Sequence, residues 1–130
     1  MLMPDAETRT GKLLRLGDGD LPIVGFRLHE GVEQSVEDAD ENLRVVTEAR
    51  PSQPCGLVVD IRHSAPLSAE VRHRYHAERI SGFCGFALVV AANPLGRTMG
   101  NLYLRIAKPT IPTRMFSDFD EAVEWLRGFR

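Results

Sequence analysis

The chain has 130 residues, enough for one domain that buries its own core without disulfide or metal staples. Its 43% hydrophobic and 26% charged residues are ordinary for a soluble globular protein, and a formal net charge of −2 leaves no basic footprint for nucleic acid or an anionic membrane surface. No signal peptide, lipidation motif or membrane-length apolar run is read, so a cytoplasmic location is expected and membrane insertion is not.

Met1 to Thr10 are polar and aperiodic, and are expected to form a flexible tail ahead of a single domain over 11–130. Lys12–Leu16 and Leu21–Leu28 read as two strands, with Gly17-Asp-Gly-Asp20 supplying the positive-φ residues of a hairpin turn. Ser35 is a natural N-cap, and Val36, Ala39, Leu43 and Val46 recur at helical spacing until Pro51 and Pro54 stop the helix. Cys55-Gly-Leu-Val-Val-Asp60 and Phe83-Cys-Gly-Phe-Ala-Leu-Val-Val-Ala-Ala92 are uniformly apolar, as strands covered on both faces must be. Their cysteines read as small buried hydrophobes.

Between those runs a helix is expected from Ser68 to about Ile80. Ala69, His73, Ala77 and Ile80 fall on one side and Val71 and Tyr75 nearly opposite, so one stripe packs on the sheet and the other meets a neighbour or lies along a partly covered surface. Asn93-Pro94 then opens a third helix with the stripe Leu95, Met99, Leu102 and Ile106, leaving Tyr103 and Leu104 pointing away. Gly96 and Gly100, four apart, permit close backbone approach to another element. Pro112–Phe116 is a last short strand, and Ser117 is the expected cap of a terminal helix burying Phe119, Ala122, Val123 and Leu126, with Trp125 and Phe129 widening the face. The order is β-β-α-β-α-β-α-β-α: an antiparallel hairpin followed by parallel strand-helix-strand steps, giving a mixed sheet covered by helices.

The strand ending Val59-Asp60-Ile61-Arg62, the helix opening Leu67-Ser68-Ala69-Glu70-Val71-Arg72, the strand Ala87-Leu88-Val89-Val90 and the ending Pro112-Thr-Arg-Met-Phe116 with Glu121-Ala-Val-Glu-Trp-Leu126 resemble the STAS-like group. These are the SpoIIAA-like proteins related to bacterial anti-sigma-factor antagonists, and the chain looks most like an uncharacterised bacterial branch of that α/β fold. In the antagonists a serine at the start of the helix after this strand is phosphorylated, within an Asp-Ser-Ser/Thr-Gly type motif. The corresponding segment here is Ser64-Ala-Pro-Leu-Ser68-Ala-Glu, which lacks the motif and leaves Ser68 as the positional match.

Ser68 also suits a plain N-cap; phosphorylated, it would place about −2 charges at a helix start beside Arg62 and Arg72. Asp60 at a strand's carboxyl end suggests a receiver-domain phosphoacceptor, but one carboxylate without an acidic pair and a following lysine cannot hold magnesium. It is better read with Arg62 as organising a polar turn. His63, His73 and His76 lack the spacing of a zinc site, and no Gly-x-Ser-x-Gly elbow supports a hydrolase built from Ser64 or Ser68, a histidine and Asp60. The glycines make no nucleotide-binding loop.

The expected function is a non-enzymatic, STAS-like regulatory and protein-interaction module working through the loop and helix start around residues 60–75. Asp60, Arg62, Ser64, Ser68, Arg72 and Tyr75 are its binding residues, and Ser68 its phosphosite. No cofactor or metal is called for. A protein partner is expected, a second copy of the chain being one form of it. A domain for a small anionic or lipid-like ligand is the alternative, marked by an apolar pocket near the strand carboxyl ends; a small hydrolase ranks below both.

Overall fold

Three parallel steps that advance in one direction across a sheet, each crossing over with the usual right hand, deliver all their helices to the same face. That arrangement organises this chain, described here by a computed structural model over residues 6–16, 21–75, 77–80, 82–108 and 110–129. The strands β1 (Gly11–Leu16), β2 (Ile23–Leu28), β3 (Gly56–Asp60), β4 (Gly85–Val89) and β5 (Thr113–Phe116) lie in sequence order. The first pair is antiparallel and the rest are parallel. The expected hairpin turn at Gly17–Asp20 falls outside the described residues, but the register Leu16↔Ile23 through Gly11↔Leu28 is that of a hairpin.

Helices α1 (Val36–Ala49), α2 (Ala69–Arg74) and α3 (Pro94–Ala107), with a 3-10 turn at Ala77–Ile80, cover one face. Leu43 and Val46 of α1, Ile80, and Tyr103 of α3 pack there on Leu13, Phe26, Leu57, Phe86 and Leu88. Alternate strand residues, Ile23, Val58, Ala87 and Val89, point the other way and meet Ala122, Val123 and Leu126 of α4 (Phe119–Arg127). This alternation on every strand explains why β3 and β4 read as unbroken apolar runs.

Helix starts follow local chemistry. Ser35 caps α1 in a reciprocal capping box with Asp38, and Asn93 caps α3 through the Gly96 N–H. The cap of α4 is Asp118 rather than the expected Ser117; its carboxylate accepts from the Glu121 N–H at 3.0 Å and carries a full charge toward the positive helix end. The last residues of the expected tail are built into the fold: Thr10 is buried, and the Leu13 N–H donates to the Ala6 carbonyl at 2.7 Å. Cys55 and Cys84 sit just ahead of β3 and β4 as free thiols; Cys55 is fully buried and Cys84 partly so.

Two helices depart from their expected faces. The second stops at Tyr75, and its inward side carries Val71 and Tyr75, while Ala69 and His73 are exposed. Tyr75 and Ile80 stand about 140° apart on a straight helix. Both pack into the same core, so the helix must break between them, and it does so with Tyr75 as C-cap. In α3 the glycines, not the expected leucines, face the sheet. A Cβ on Gly96 would lie 2.4 Å from the Ala91 carbonyl oxygen, and one on Gly100 2.5 Å from Met115 Sδ. Bringing the helix that close turns Tyr103 into the core and leaves Leu95 65% exposed. The side chain of Ile106, the last member of the expected stripe, lies outside the described residues.

This contact gives a graded prediction. Helix propensity alone favours Gly→Ala by about 1 kcal/mol. Gly96→Ala collides with rigid backbone and is expected to destabilise by about 2–3 kcal/mol, whereas Gly100→Ala meets a flexible methionine end and Val90 and is expected to lose about 1 kcal/mol or less. Urea unfolding of both variants checks the order.

Candidate functional site

β3 and β4 end level with one another, Asp60 opposite Val89, and the two chains leave the sheet side by side. The Ile61 N–H still bonds to the Val89 carbonyl at 2.9 Å, and the Val90 N–H to the Phe116 carbonyl at 2.8 Å. Beyond that point the β3–α2 loop and the β4–α3 turn part, and the gap between them is a cleft of about 200 Å³. Ile61, Arg62, Ser64, Ala65, Pro66, Leu67 and Arg72 line one wall; Val90, Ala91, Asn93, Leu95, Gly96 and Met99 line the other, with Tyr103 also contributing.

Asp60 anchors the first wall from behind. It lies on the α4 side of β3 and is only 1% exposed. Its Oδ1 accepts from the backbone N–H and the Nε of Arg62, both at 3.0 Å; its Oδ2 accepts from Arg62 Nη2 at 2.8 Å and Arg27 Nε at 2.9 Å. Burial pushes this carboxyl up, but the Arg62 side-chain and backbone hydrogen bonds and the Arg27 contact outweigh it and hold Asp60 below the usual carboxylate range. Arg62 is raised in turn, first by its hydrogen bond to Asp60, with Asp118 and Asp120 at the start of α4 adding to it. The Arg27 guanidinium also lies 4.6 Å from the centre of the Phe119 ring. One buried acid thus ties together β2, the loop after β3 and the start of α4.

The six expected site residues separate in space. Arg62, Ser64 and Arg72 line the cleft together. Ser64 Oγ lies within reach of the Ile61 and Ala65 carbonyls, at 3.3 and 3.2 Å, and holds the loop closed. Ser68 is exposed as the cap of α2, accepting from the Val71 N–H at 3.2 Å, one turn before Arg72. Asp60 reaches the cleft only through Arg62. Arg72 donates to the Leu67 carbonyl through Nη1, meets no carboxylate among the described residues, and keeps its Nε buried without an acceptor.

Tyr75 turns inward, to the floor of a separate apolar cavity of about 50 Å³ between the helices and the sheet. Ile61, Leu67 and Tyr103 border both this cavity and the cleft. The Tyr75 hydroxyl donates to Gln34 Oε1 and accepts from Asn42 Nδ2 at 3.2 Å, and burial pushes the phenol up to about 12. Asn42, 2% exposed, also donates to Thr10 Oγ1 at 2.9 Å and accepts from Thr8 Oγ1 at 2.6 Å.

Asn42, Asn93 and Leu95 are site residues that pattern reading passed over. Asn42 carries a usable signal, a polar residue within the apolar arc of α1 beside Ala39, Leu43 and Val46. Leu95 carries none, because its exposure depends on how deeply the α3 glycines seat.

Among the described residues, Ser64, Ser68, Asp60 and the histidines form no hydrogen-bonded nucleophile–base pair, and no three metal-ligating side chains are gathered. His63 and His73 are exposed, and His76 lies outside the described residues. No helix among them is long and apolar enough to cross a membrane.

The Asp60 clamp has a testable pH signature. Its lowered folded-state pKa contributes stability that is present above the unfolded value near 4 and lost as pH falls through the folded value. Asp60→Asn is expected to cost about 2–3 kcal/mol at pH 7, less than a fully sealed pair because both arginines keep part of their surface in solvent. The difference from wild type should shrink steadily from about pH 5 downward in denaturant titrations.

A solved structure shares this architecture: an uncharacterised protein of the DUF3478 family with a SpoIIAA-like fold, from Shewanella loihica PV-4. It superposes with a TM-score of 0.64 over 93% of this chain and 97% of its own, at 14% sequence identity, a likeness of fold alone. This chain therefore has the SpoIIAA-like α/β fold, a mixed five-stranded sheet with helices on both faces. No curated protein matches it in sequence. The sequence profile described as domain of unknown function DUF7793 matches residues 17–130, and the chain belongs to that family.

Proposed function

We propose that this STAS-like module is a non-enzymatic regulatory domain that holds a protein partner in the cleft between the β3–α2 loop and the start of α3. The observation that carries the reading is Leu95. It is the one large hydrophobic residue left exposed among the described residues, and it lines a concave site whose walls are largely apolar. Size supports a peptide segment over a small molecule. About 200 Å³ takes one or two side chains of a docked segment and falls short of the ~300–1,000 Å³ of a pocket that engulfs a small molecule. Ser68 supplies the regulatory element of the proposal. A phosphate on this exposed hydroxyl would carry about −2 charges to a position one turn from Arg72 and alter the cleft's electrostatics.

A second reading, a small anionic or lipid-like ligand, is favoured by the apolar cavity behind Leu67 and Tyr103, which would extend the cleft inward if the two joined.

Because Tyr75 supports the core, the informative surface variants are Leu95→Asp and Arg72→Ala. Together they are expected to lower partner recovery by about tenfold or more in affinity capture from the native cell, with the unfolding midpoint unchanged. Ser68→Glu should shift recovery in the same assay. Undiminished recovery by the double variant would overturn the proposal, and a lipid found bound to the purified protein by native mass spectrometry would favour the second reading.

A further inference from the structure

The cleft's charge and shape specify more than a generic partner. Its lining holds two guanidiniums and no carboxylate. Arg62 is already neutralised by Asp60, through two side-chain hydrogen bonds. Arg72 is not: it makes no ion pair among the described residues, and its Nη1 contact is a neutral carbonyl. A guanidinium without an acidic partner favours an anion, and a carboxylate meets both its charge and its remaining Nη donors. Opposite it, the first turn of α3 bears no acidic side chain, so the second wall adds no competing negative charge.

The apolar part of the cleft selects among anions. Leu95, Pro66, Leu67 and Met99 give a free phosphate or acetate nothing to bind, whereas a branched aliphatic side chain would cover the exposed Leu95. From this juxtaposition we infer that the cleft takes a short acidic peptide segment of a partner protein, seating one apolar side chain against Leu95 and a neighbouring carboxylate on Arg72. The inference rests on the reading of the cleft as a protein-binding site and names the chemistry of what enters it.

The test uses the full chain and fluorescein-labelled short peptides in an anisotropy titration. One peptide has a central leucine flanked by aspartates and glutamates, a second replaces that leucine by alanine, and a third replaces the acids by lysines. The acidic leucine peptide is expected to bind, the alanine version at least about fivefold more weakly, and the lysine version not at all. Arg72→Gln and Leu95→Ser should each weaken the first peptide by about fivefold or more, and Arg97→Gln, on the exposed side of α3, by less than about twofold. Ser68→Glu, which places a competing carboxylate one turn from Arg72 at an exposed cap, should weaken it as well, giving a second variant that leaves the core untouched.

Equal binding of the leucine and alanine peptides, equal binding by wild type and Arg72→Gln, or no binding of any acidic peptide would overturn the inference. So would binding of decanoate, read by calorimetry, with no peptide bound, which points to a lipid instead. Failure here is distinguishable from failure of the broader reading: a partner whose capture is lost with Leu95→Asp but kept with Arg72→Gln leaves a protein-binding cleft without an acidic preference.

Discussion

The parallel register of β2, β3 and β4 is the constraint from which the rest of the molecule follows. Arg27, Asp60 and Val89 lie abreast at the carboxyl end of the sheet, so three chains leave it at one level. All three climb to the face covered by α1, α2 and α3, and the chains after β3 and β4 part to leave the cleft between them. The cleft at this end is therefore placed by the register. Its chemistry is a property of the few residues on the two connections.

Those connections are held in different ways. The β3–α2 segment is fastened by polar groups: Asp60 grips Arg62 on the far side of the sheet, Ser64 ties the turn, and Ser68 caps the helix that follows. The start of α3 is fastened by contact, with Gly96 against Ala91 and Gly100 against Met115 and Val90. A second polar assembly, Asn42 with Thr8, Thr10, Gln34 and Tyr75, joins the chain's first described residues to α1 and α2. Buried amides of this kind fix one arrangement of neighbouring elements, because any other leaves donors unpaired.

How far these features could be read without coordinates depended on whether the signal was local. The strands, the Ser35 cap, the helix start at Asn93-Pro94 and the close-approach glycines were legible because each rests on a short-range preference of the chain. So was the pairing of Asp60 with Arg62, two residues apart. The inward face of α2 was not. Two apolar stripes competed there, and the choice was settled by Asn42 across the interface, which gives the Tyr75 hydroxyl a partner inside. The exposure of Leu95 was hidden for a similar reason: hydrophobicity marks it as core, and only the depth at which two glycines let α3 sink turns it outward. Of the expected site, the cluster Arg62, Ser64 and Arg72 was within reach, while its opposite wall was not, because that wall comes from a separate connection.

The bare glycine surface of α3 also decides which jaw of the cleft can yield. Swinging the helix aside would pull Gly96 from the Ala91 backbone and open a void over Met115 and Val90, with no side chain able to follow and refill it. The opposite jaw is pinned at its base by Asp60, but the Ser64 and Ser68 bonds beyond it lie where water can replace them. Any accommodation to occupants of different girth falls to the arginine-bearing lip, while the leucine-bearing lip serves as a fixed anvil.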